Sequence, residues 1–405
     1  MVMDKTIFQR QVKFILRFGK ALHSAGTPAH TLEATMQDMS QQMGLEGTFI
    51  SQPTAILSSF TKGEEEITKI DRVEPMGVNL GKLSDIDKVS RQVIRNQISY
   101  EEGYERLETI LNSRNPFGKR INLLFFLFSA GGFMILFGGT WSDLIASMIV
   151  GSFIGFLSVI RPTGLVGQLF EAFVAIVASL TTYLLSKLFP GLNVGVIIIS
   201  SLIIFMPGLF ITIAIAEIAT NNLVSGTARL VGGVMILLKL TFGVFIGNKI
   251  STWFHFPPLN LELGLIPSWI TLVSLPITAF LSVINFKANR ADWKWVTLAG
   301  IYGYGCSKFG SHYLGPELGM FFGGTCVGAM SNIFARLLDK PSSIFQWPGI
   351  ILLVPGSVGY RGMTSLFQRD VVAGLDTAFT MISLAMALVV GVFVGNIIVK
   401  PRRSL

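Results

Sequence analysis

Charge is what this chain has least of. Only 14% of its 405 residues are Asp, Glu, Lys or Arg, while 51% are hydrophobic; a soluble domain carries about 25% charged residues. With a mean hydropathy of +0.59, that shortage excludes an ordinary soluble protein. It calls for an integral, multi-pass membrane protein, and the plasma or inner membrane is its expected place. Cysteine is scarce too. Cys306 and Cys326 stand alone, outside any CxxC or Cys/His spacing of the kind zinc needs, so they read as small packing residues and neither a metal nor a cofactor is expected. A cleavable signal is also missing from the start, where Lys and Arg interrupt the apolar positions; the N-terminus is therefore expected to stay cytoplasmic. The net charge of +8 reads as Lys and Arg on cytoplasmic loops, without nucleic acid as a partner.

The charges that exist are concentrated at the front. Residues 1–118 form the expected cytoplasmic α+β domain, with helices near 5–24 and 28–43, a β-rich run over 47–61 with a return strand after it, and helices near 80–96 and 100–112. Thr27-Pro28 supplies a cap and a first-turn proline for the second helix. Leu32, Met36, Met39 and Met43 fall on one face of it, as core positions do. Ser99 followed by Glu102 is the signature of a capping box. His23 and His30 bracket the turn Ser-Ala-Gly-Thr-Pro with Glu33 nearby, but no nucleophile or third ligand accompanies them, and no catalytic residue is assigned.

Behind this domain the sequence reads as all-α, with about ten apolar segments near 121–139, 143–160, 169–188, 194–216, 227–249, 265–285, 294–310, 315–337, 344–366 and 371–399. Each is close to the ~20 residues that cross a bilayer. Alternate gaps carry Lys119, Arg120, Arg161, Arg229, Lys287, Arg290, Lys294, Arg336 and Lys340, followed at the end by Lys400, Arg402 and Arg403. The opposite gaps carry Lys187, Lys249, Lys308, Arg361 and Arg369. That bias fits cytoplasmic N- and C-termini.

The segment Phe-Met-Pro-Gly-Leu-Phe (205–210) has a copy. At an offset of 148 residues, Pro207-Gly208 falls on Pro355-Gly356, Gly226 on Gly374, Gly243-Val244-Phe245 on Gly391-Val392-Phe393, and Gly247-Asn248 on Gly395-Asn396. Twelve of the 48 positions from 203 to 250 are identical without a gap. The membrane part thus reads as two five-helix repeats, 119–250 and 265–399. An odd number of spans forces the second copy to enter from the other side, the inverted-repeat plan of secondary transporters. Pro-Gly interruptions at matching places point to the substrate site, because broken backbone in a bilayer needs protein or water around it. GxxxG spacings, as at 243–247 and 391–395, read as close helix packing.

Over nearly its full length the chain resembles the threonine/serine exporter family. The residues that carry this are PGLFITIAIAEIATNNLVSGTARL (207–230), LLVPGSVGYRG (352–362), LHSAGTPAHTLEATMQDMSQQMGL (22–45) and GVNLGKLSDIDKV (77–89). The resemblance implies a cytoplasmic front domain, ten spans and proton-driven export of small hydroxy amino acids. One split pair of relatives is linked to dicarboxylate export, so the family leaves the substrate open. Where many members have an Arg-(Val/Ile)-Glu run, this chain has Thr31-Leu32-Glu33, and nothing attached to that arginine carries over.

The candidate substrate-binding residues are therefore Pro207, Gly208, Pro355 and Gly356, with Asn222, Ser225 and Thr227 as ligands for a zwitterion or, equally, as caps and turns. Candidates for proton coupling or gating are Glu217, Arg229, Asp376 and Glu171. An acid within a span is expensive, about 2.5–3.5 kcal/mol at a helix centre. Glu217 reads either as a proton carrier or as an interfacial acid paired with Arg229. Asp376 is the candidate buried acid of the second half. The expected function is alternating-access export of threonine, serine or a small carboxylate, with protons and membrane lipid as the other partners. A membrane-bound enzyme with a catalytic front domain and a channel are the competing classes.

Overall fold

The computed structural model describes residues 2–401 apart from 64, 75, 76, 163 and 260–262. Arg402 and Arg403 lie outside the described residues. The chain opens with α1 (Val2–Ser24) and α2 (Ala29–Gln42), then an antiparallel sheet in the order β1 (Glu46–Gln52), β2 (Ala55–Lys62), β3 (Glu65–Arg72), then α3 (Leu80–Ile94) and α4 (Tyr100–Asn112). The β-rich run expected as one stretch is a hairpin. Gln52 pairs directly with Ala55 across Pro53-Thr54, since proline has no N–H with which to continue a ladder. Ser99 caps α4 through the Glu102 amide at 3.1 Å, but the Glu102 carboxylate turns to Arg106 at 2.7 Å instead of closing the box. Between α1 and α2 the backbone turns at Gly26 with φ +80°, and a Cβ there would lie 2.7 Å from the Val78 Cα; only glycine fits both demands.

Leu32, Met36 and Met39 of α2 are buried beside Phe14, Phe18 and Leu22 of α1, so the methionine face is core. That core does not end with the front unit. It runs on through Val283, Phe286, Val296, Phe334 and Phe345, residues of the membrane helices. The front unit is thus seated on the loops around residues 217–229, 285–289 and 339, where Arg91 Nη1 meets Asp339 Oδ2 at 2.9 Å. These are the gaps the sequence marks as positively charged.

The membrane part follows as α5 (Lys119–Leu136), α6 (Trp141–Val159), a short α7 (Leu165–Gln168), α8 (Phe170–Leu188), α9 (Val194–Leu202), α10 (Gly208–Ala219) and α11 (Leu223–Ser251). Then come α12 (Trp269–Asn285), α13 (Trp293–Leu314), α14 (Pro316–Leu338), α15 (Ser343–Ile351), α16 (Gly356–Phe367) and α17 (Val371–Ile398). Among the described residues six helices are long and apolar enough to cross a bilayer, namely α5, α6, α8, α11, α14 and α17. Two bent pairs raise the number to eight if each crosses as one: α9 with its 3₁₀ turn and α10, bent by 57°, and α15 with α16, bent by 40°. Of the ten expected segments, α12 is apolar but short, and α13 carries Lys294, Lys308 and His312.

Matching glycines do matching work. Gly243 and Gly247 of α11 press on the backbone of α8 at Ala172 and Ile176. Gly391 and Gly395 of α17 press on α14 at Phe321 and Thr325. In lipid, where apolar side chains gain nothing by leaving solvent, such close approach is a main source of helix association. Replacing Gly391 with Ala must therefore push α17 off the Phe321 carbonyl, and we expect a loss of about 1–3 kcal/mol, read as a lower melting temperature of the purified protein. Gly305→Ala, which meets nothing within 4 Å, should leave that temperature unchanged.

Candidate functional site

The two bent pairs break at the same dipeptide and in the same way. Pro207 has φ −81°, ψ 33° and Pro355 has φ −82°, ψ 40°, each immediately before the half-helix that starts on Gly208 or Gly356. The two half-helix starts touch. A Cβ on Gly208 would lie 2.8 Å from the Gly356 nitrogen, and one on Gly356 would lie 3.1 Å from the Gly208 nitrogen. Neither position has room for a side chain. The first-turn N–H groups of a helix have no acceptor within it, so two positive helix ends converge at this crossing.

A cavity of about 820 Å³ reaches from the crossing to the front unit. Met206, Pro207 and Gly208 face it from one break, and Val354, Gly356 and Ser357 from the other. Arg229 of α11 lies on the wall between, with its guanidinium 5.5 Å from the centre of the Phe210 ring. At the opposite end the wall passes to Gly26, Asn79, Lys82 and Asp85 of the front unit, Arg114 of the linker, and Lys287 of the α12–α13 loop. The front unit and the membrane part enclose one space.

Glu217 holds them together. Its side chain is 0% exposed and accepts three hydrogen bonds: from the Ala29 amide at 2.9 Å, the Ser225 hydroxyl at 2.8 Å and Arg229 Nε at 3.0 Å. Ala29 opens α2, whose N-cap is Pro28 and has no capping side chain. A carboxylate from α10 thus takes the place of the missing cap, at the positive end of the α2 dipole. Glu33 completes the clasp, accepting from the Ser51 amide at 2.6 Å and from Asn222 Nδ2 at 3.0 Å.

His23 and His30 flank this clasp. His23 is 3% exposed. Burial first, and then the Arg229 charge, bring each imidazole down to about 4 from the ordinary 6.5; bonds to the Gln52 and Pro53 backbone pull His23 the other way. His23 Nε2 and His30 Nδ1 are buried without a hydrogen-bond partner.

The structure brings Pro207, Gly208, Gly356 and Arg229 to one cavity; Pro355 sits behind its wall. Asn222 and Ser225 are engaged by Glu33 and Glu217, and Thr227 caps back to the Leu223 carbonyl at 2.7 Å. Glu171 pairs with Arg161 at 3.4 Å and Lys239 at 3.5 Å, away from the cavity. Asp376 is exposed on α17 and is not a buried acid, because its side of the helix turns away from α16. Sequence reasoning noted Glu33 beside the histidines and Lys287 in a positively charged gap without giving either a role at a site, and passed over Lys82. Nothing local marks them, as each acquires its neighbours from another part of the chain.

Two family models match, both described with the words threonine/serine exporter, one over residues 13–251 and the other over 271–398. Among curated proteins the chain is similar to proteins named pheromone-regulated membrane protein 10. That of Kluyveromyces lactis is 26% identical over 98% of this chain and 44% of its own length. The Yarrowia lipolytica protein is 25% identical over 98% and 37%, and the Eremothecium gossypii protein 26% over 96% and 56%. The chain thus spans about half the length of these relatives or less. No solved structure matches.

Removing the Glu217 carboxylate leaves a buried guanidinium and an amide without acceptors. Glu217→Ala should cost about 3–5 kcal/mol, seen as a lower melting temperature and as faster proteolysis between α1 and α2. Acid should act on the same clasp. Both histidines titrate lower when docked than in water, so their contribution is complete above about pH 6.5 and fades as pH falls toward 4. At pH 5 the loss approaches about 2 kcal/mol per histidine. Melting curves at pH 7.5 and 5 should separate in the wild type and draw together in His23→Gln/His30→Gln.

Proposed function

Because this chain belongs to the threonine/serine exporter family, we propose that it is a secondary active transporter that exports small amino acids of the threonine and serine kind, coupled to protons. One observation carries the reading. Two Pro-Gly breaks with closely similar backbone angles meet glycine to glycine on the wall of one cavity. Paired broken helices that cross at a cavity are how transporters hold a substrate near the bilayer midplane while the two repeats move about it. The half-helix N-termini would receive the substrate carboxylate.

On this reading residues 1–118 are a cytoplasmic domain, and 119–250 and 265–399 are inverted five-helix repeats. α8 and α11 correspond to α14 and α17, and the bent pairs to one another. The α12 and α13 helices complete the count of ten despite their shortness and polarity. Both termini are cytoplasmic, which accords with the front unit resting on the positively charged loops. Alternating access then requires that the clasp of Glu217, Arg229 and Ala29 loosen as the cavity changes sides, so the acid and guanidinium act as a gate. The protein works as a transporter rather than as an enzyme; His23 and His30 serve docking.

A second substrate reading, a dicarboxylate such as succinate, is favoured by the charge of the wall. Among the described residues Lys82, Arg114 and Lys287 line the cavity against a single acid, Asp85, in addition to Arg229, whose charge Glu217 meets.

The test is flux into everted vesicles with labelled threonine, serine and succinate, with and without a pH gradient. Wild type should accumulate one of them against its gradient, and an uncoupler should abolish that accumulation. Gly208→Val, whose side chain would displace the Gly356 backbone, should reduce coupled flux at least 10-fold at equal protein in the membrane, given that misplacement by about 1 Å at a working site has effects of about 10²-fold. Equal flux in that variant, or wild-type movement that only follows the gradient, would refute the proposal.

A further inference from the structure

The end of the cavity farthest from the glycine crossing is built with care. The start of α3 is bolted to the α12–α13 loop: the Leu80 amide donates to the Phe286 carbonyl at 2.9 Å, and Asn289 Nδ2 reaches Asp85 Oδ1 at 3.1 Å. Gly81 lies so close to the Lys287 carbonyl that a Cβ there would be 2.5 Å from its oxygen. Lys287 itself has φ +50° and takes the left-handed turn that ends α12, where the Ala288 amide donates back to the Val283 carbonyl at 2.9 Å. What this arrangement achieves is to set the Lys287 side chain beside Lys82, both on the cavity wall.

The two ammonium groups repel. Burial, and next the Lys287 charge, hold Lys82 below its ordinary value. Lys82 Nζ donates to the Leu111 carbonyl at the end of α4 at 2.7 Å, and among the described residues neither lysine has a carboxylate within ion-pair distance. Among the described residues Asp85 is the one acid on the wall, and Asn289 donates to it. Arg114 stands exposed at the rim. Two like charges held on one wall by the backbone contacts between α3 and the α12–α13 loop, facing a cavity of about 820 Å³, leave room for an anion, and an anion would relieve both the repulsion and the unmet donors.

We propose that Lys82 and Lys287 form an outer subsite that receives a carboxylate of the exported substrate at the front-unit end of the cavity, before the substrate reaches the half-helix N-termini. The subsite rests on the transporter reading above and extends it: the front unit supplies half of the first contact. It favours substrates with a carboxylate free to leave the zwitterion's own ammonium, and so dicarboxylates over neutral amino acids.

The test uses the full chain in nanodiscs, with binding of radiolabelled succinate and threonine, alongside flux in everted vesicles. Lys82→Gln and Lys287→Gln should each weaken succinate binding and raise the KM for succinate about 10-fold, equivalent to about 1.4 kcal/mol. Threonine should be affected less, and the dependence of binding on ionic strength should flatten. Lys82→Arg and Lys287→Arg should keep most of the affinity, which separates charge from folding; Lys69→Gln, on β3 away from the cavity, should change nothing. Wild type that binds no succinate, or glutamine variants that bind it as wild type does, would overturn the subsite. Competition by inorganic phosphate equal to that by succinate would overturn its assignment to carboxylate. Lysine-dependent binding without flux would retire the transporter reading and leave the subsite standing; flux with an unaltered KM in both glutamine variants would do the reverse.

Discussion

Where α10 starts against α16, Gly208 and Gly356 meet with only backbone between them, and that contact joins the two broken apolar segments. A prolyl break frees polar groups that lipid cannot satisfy. Placing the two breaks against each other, on the wall of a cavity, gives those groups protein on one side and room for water or ligand on the other. Any side chain at either glycine would separate the half-helices and expose them singly. The closely similar backbone angles of Pro207 and Pro355 follow from the same need, met twice.

The front unit depends on one of those half-helices. α10 runs from the crossing to Glu217, and Glu217 caps α2 across 188 residues of sequence. A buried ion pair is by itself weak evidence for stability, since desolvation offsets much of the attraction. Its loss of one member is severe, because the other charge stays behind. Here the pair sits above an apolar core shared by both parts, so hydrophobic burial supplies the adhesion and Glu217, Arg229, Glu33 and Asn222 supply the register. The neutral histidines beside them make the same junction sensitive to acid.

Much of this was legible in the residues. The Pro-Gly pairs and the glycines at the 148-residue offset are one-residue requirements of backbone geometry, and they sit in the structure where that geometry is needed. The buried stripe Leu32, Met36, Met39 was legible from its period. Elsewhere local pattern misled. The run 47–61 reads as β-rich without a stated turn, and Pro53-Thr54 divides it into two paired strands. Asp376 reads as a buried acid from its place near a span start, whereas which side of α17 faces inward depends on α16 and α14. Asn222 and Ser225 looked equally suited to a zwitterion or a turn; their partners are acids that the sequence places 189 and 8 residues away.

By itself the sequence determined that the chain lives in a membrane, carries a front unit with its own helices and strands, and breaks two apolar segments at matched dipeptides. These follow from composition, period and the backbone demands of proline and glycine, all of which act within a few residues. Only the tertiary structure decided that the breaks touch, that Glu217 is the cap of a distant helix, and that Lys82 and Lys287 share a wall. Electrostatic partners are chosen by proximity in space, and in a chain whose front unit folds back onto loops two hundred residues on, separation along the sequence says nothing about it.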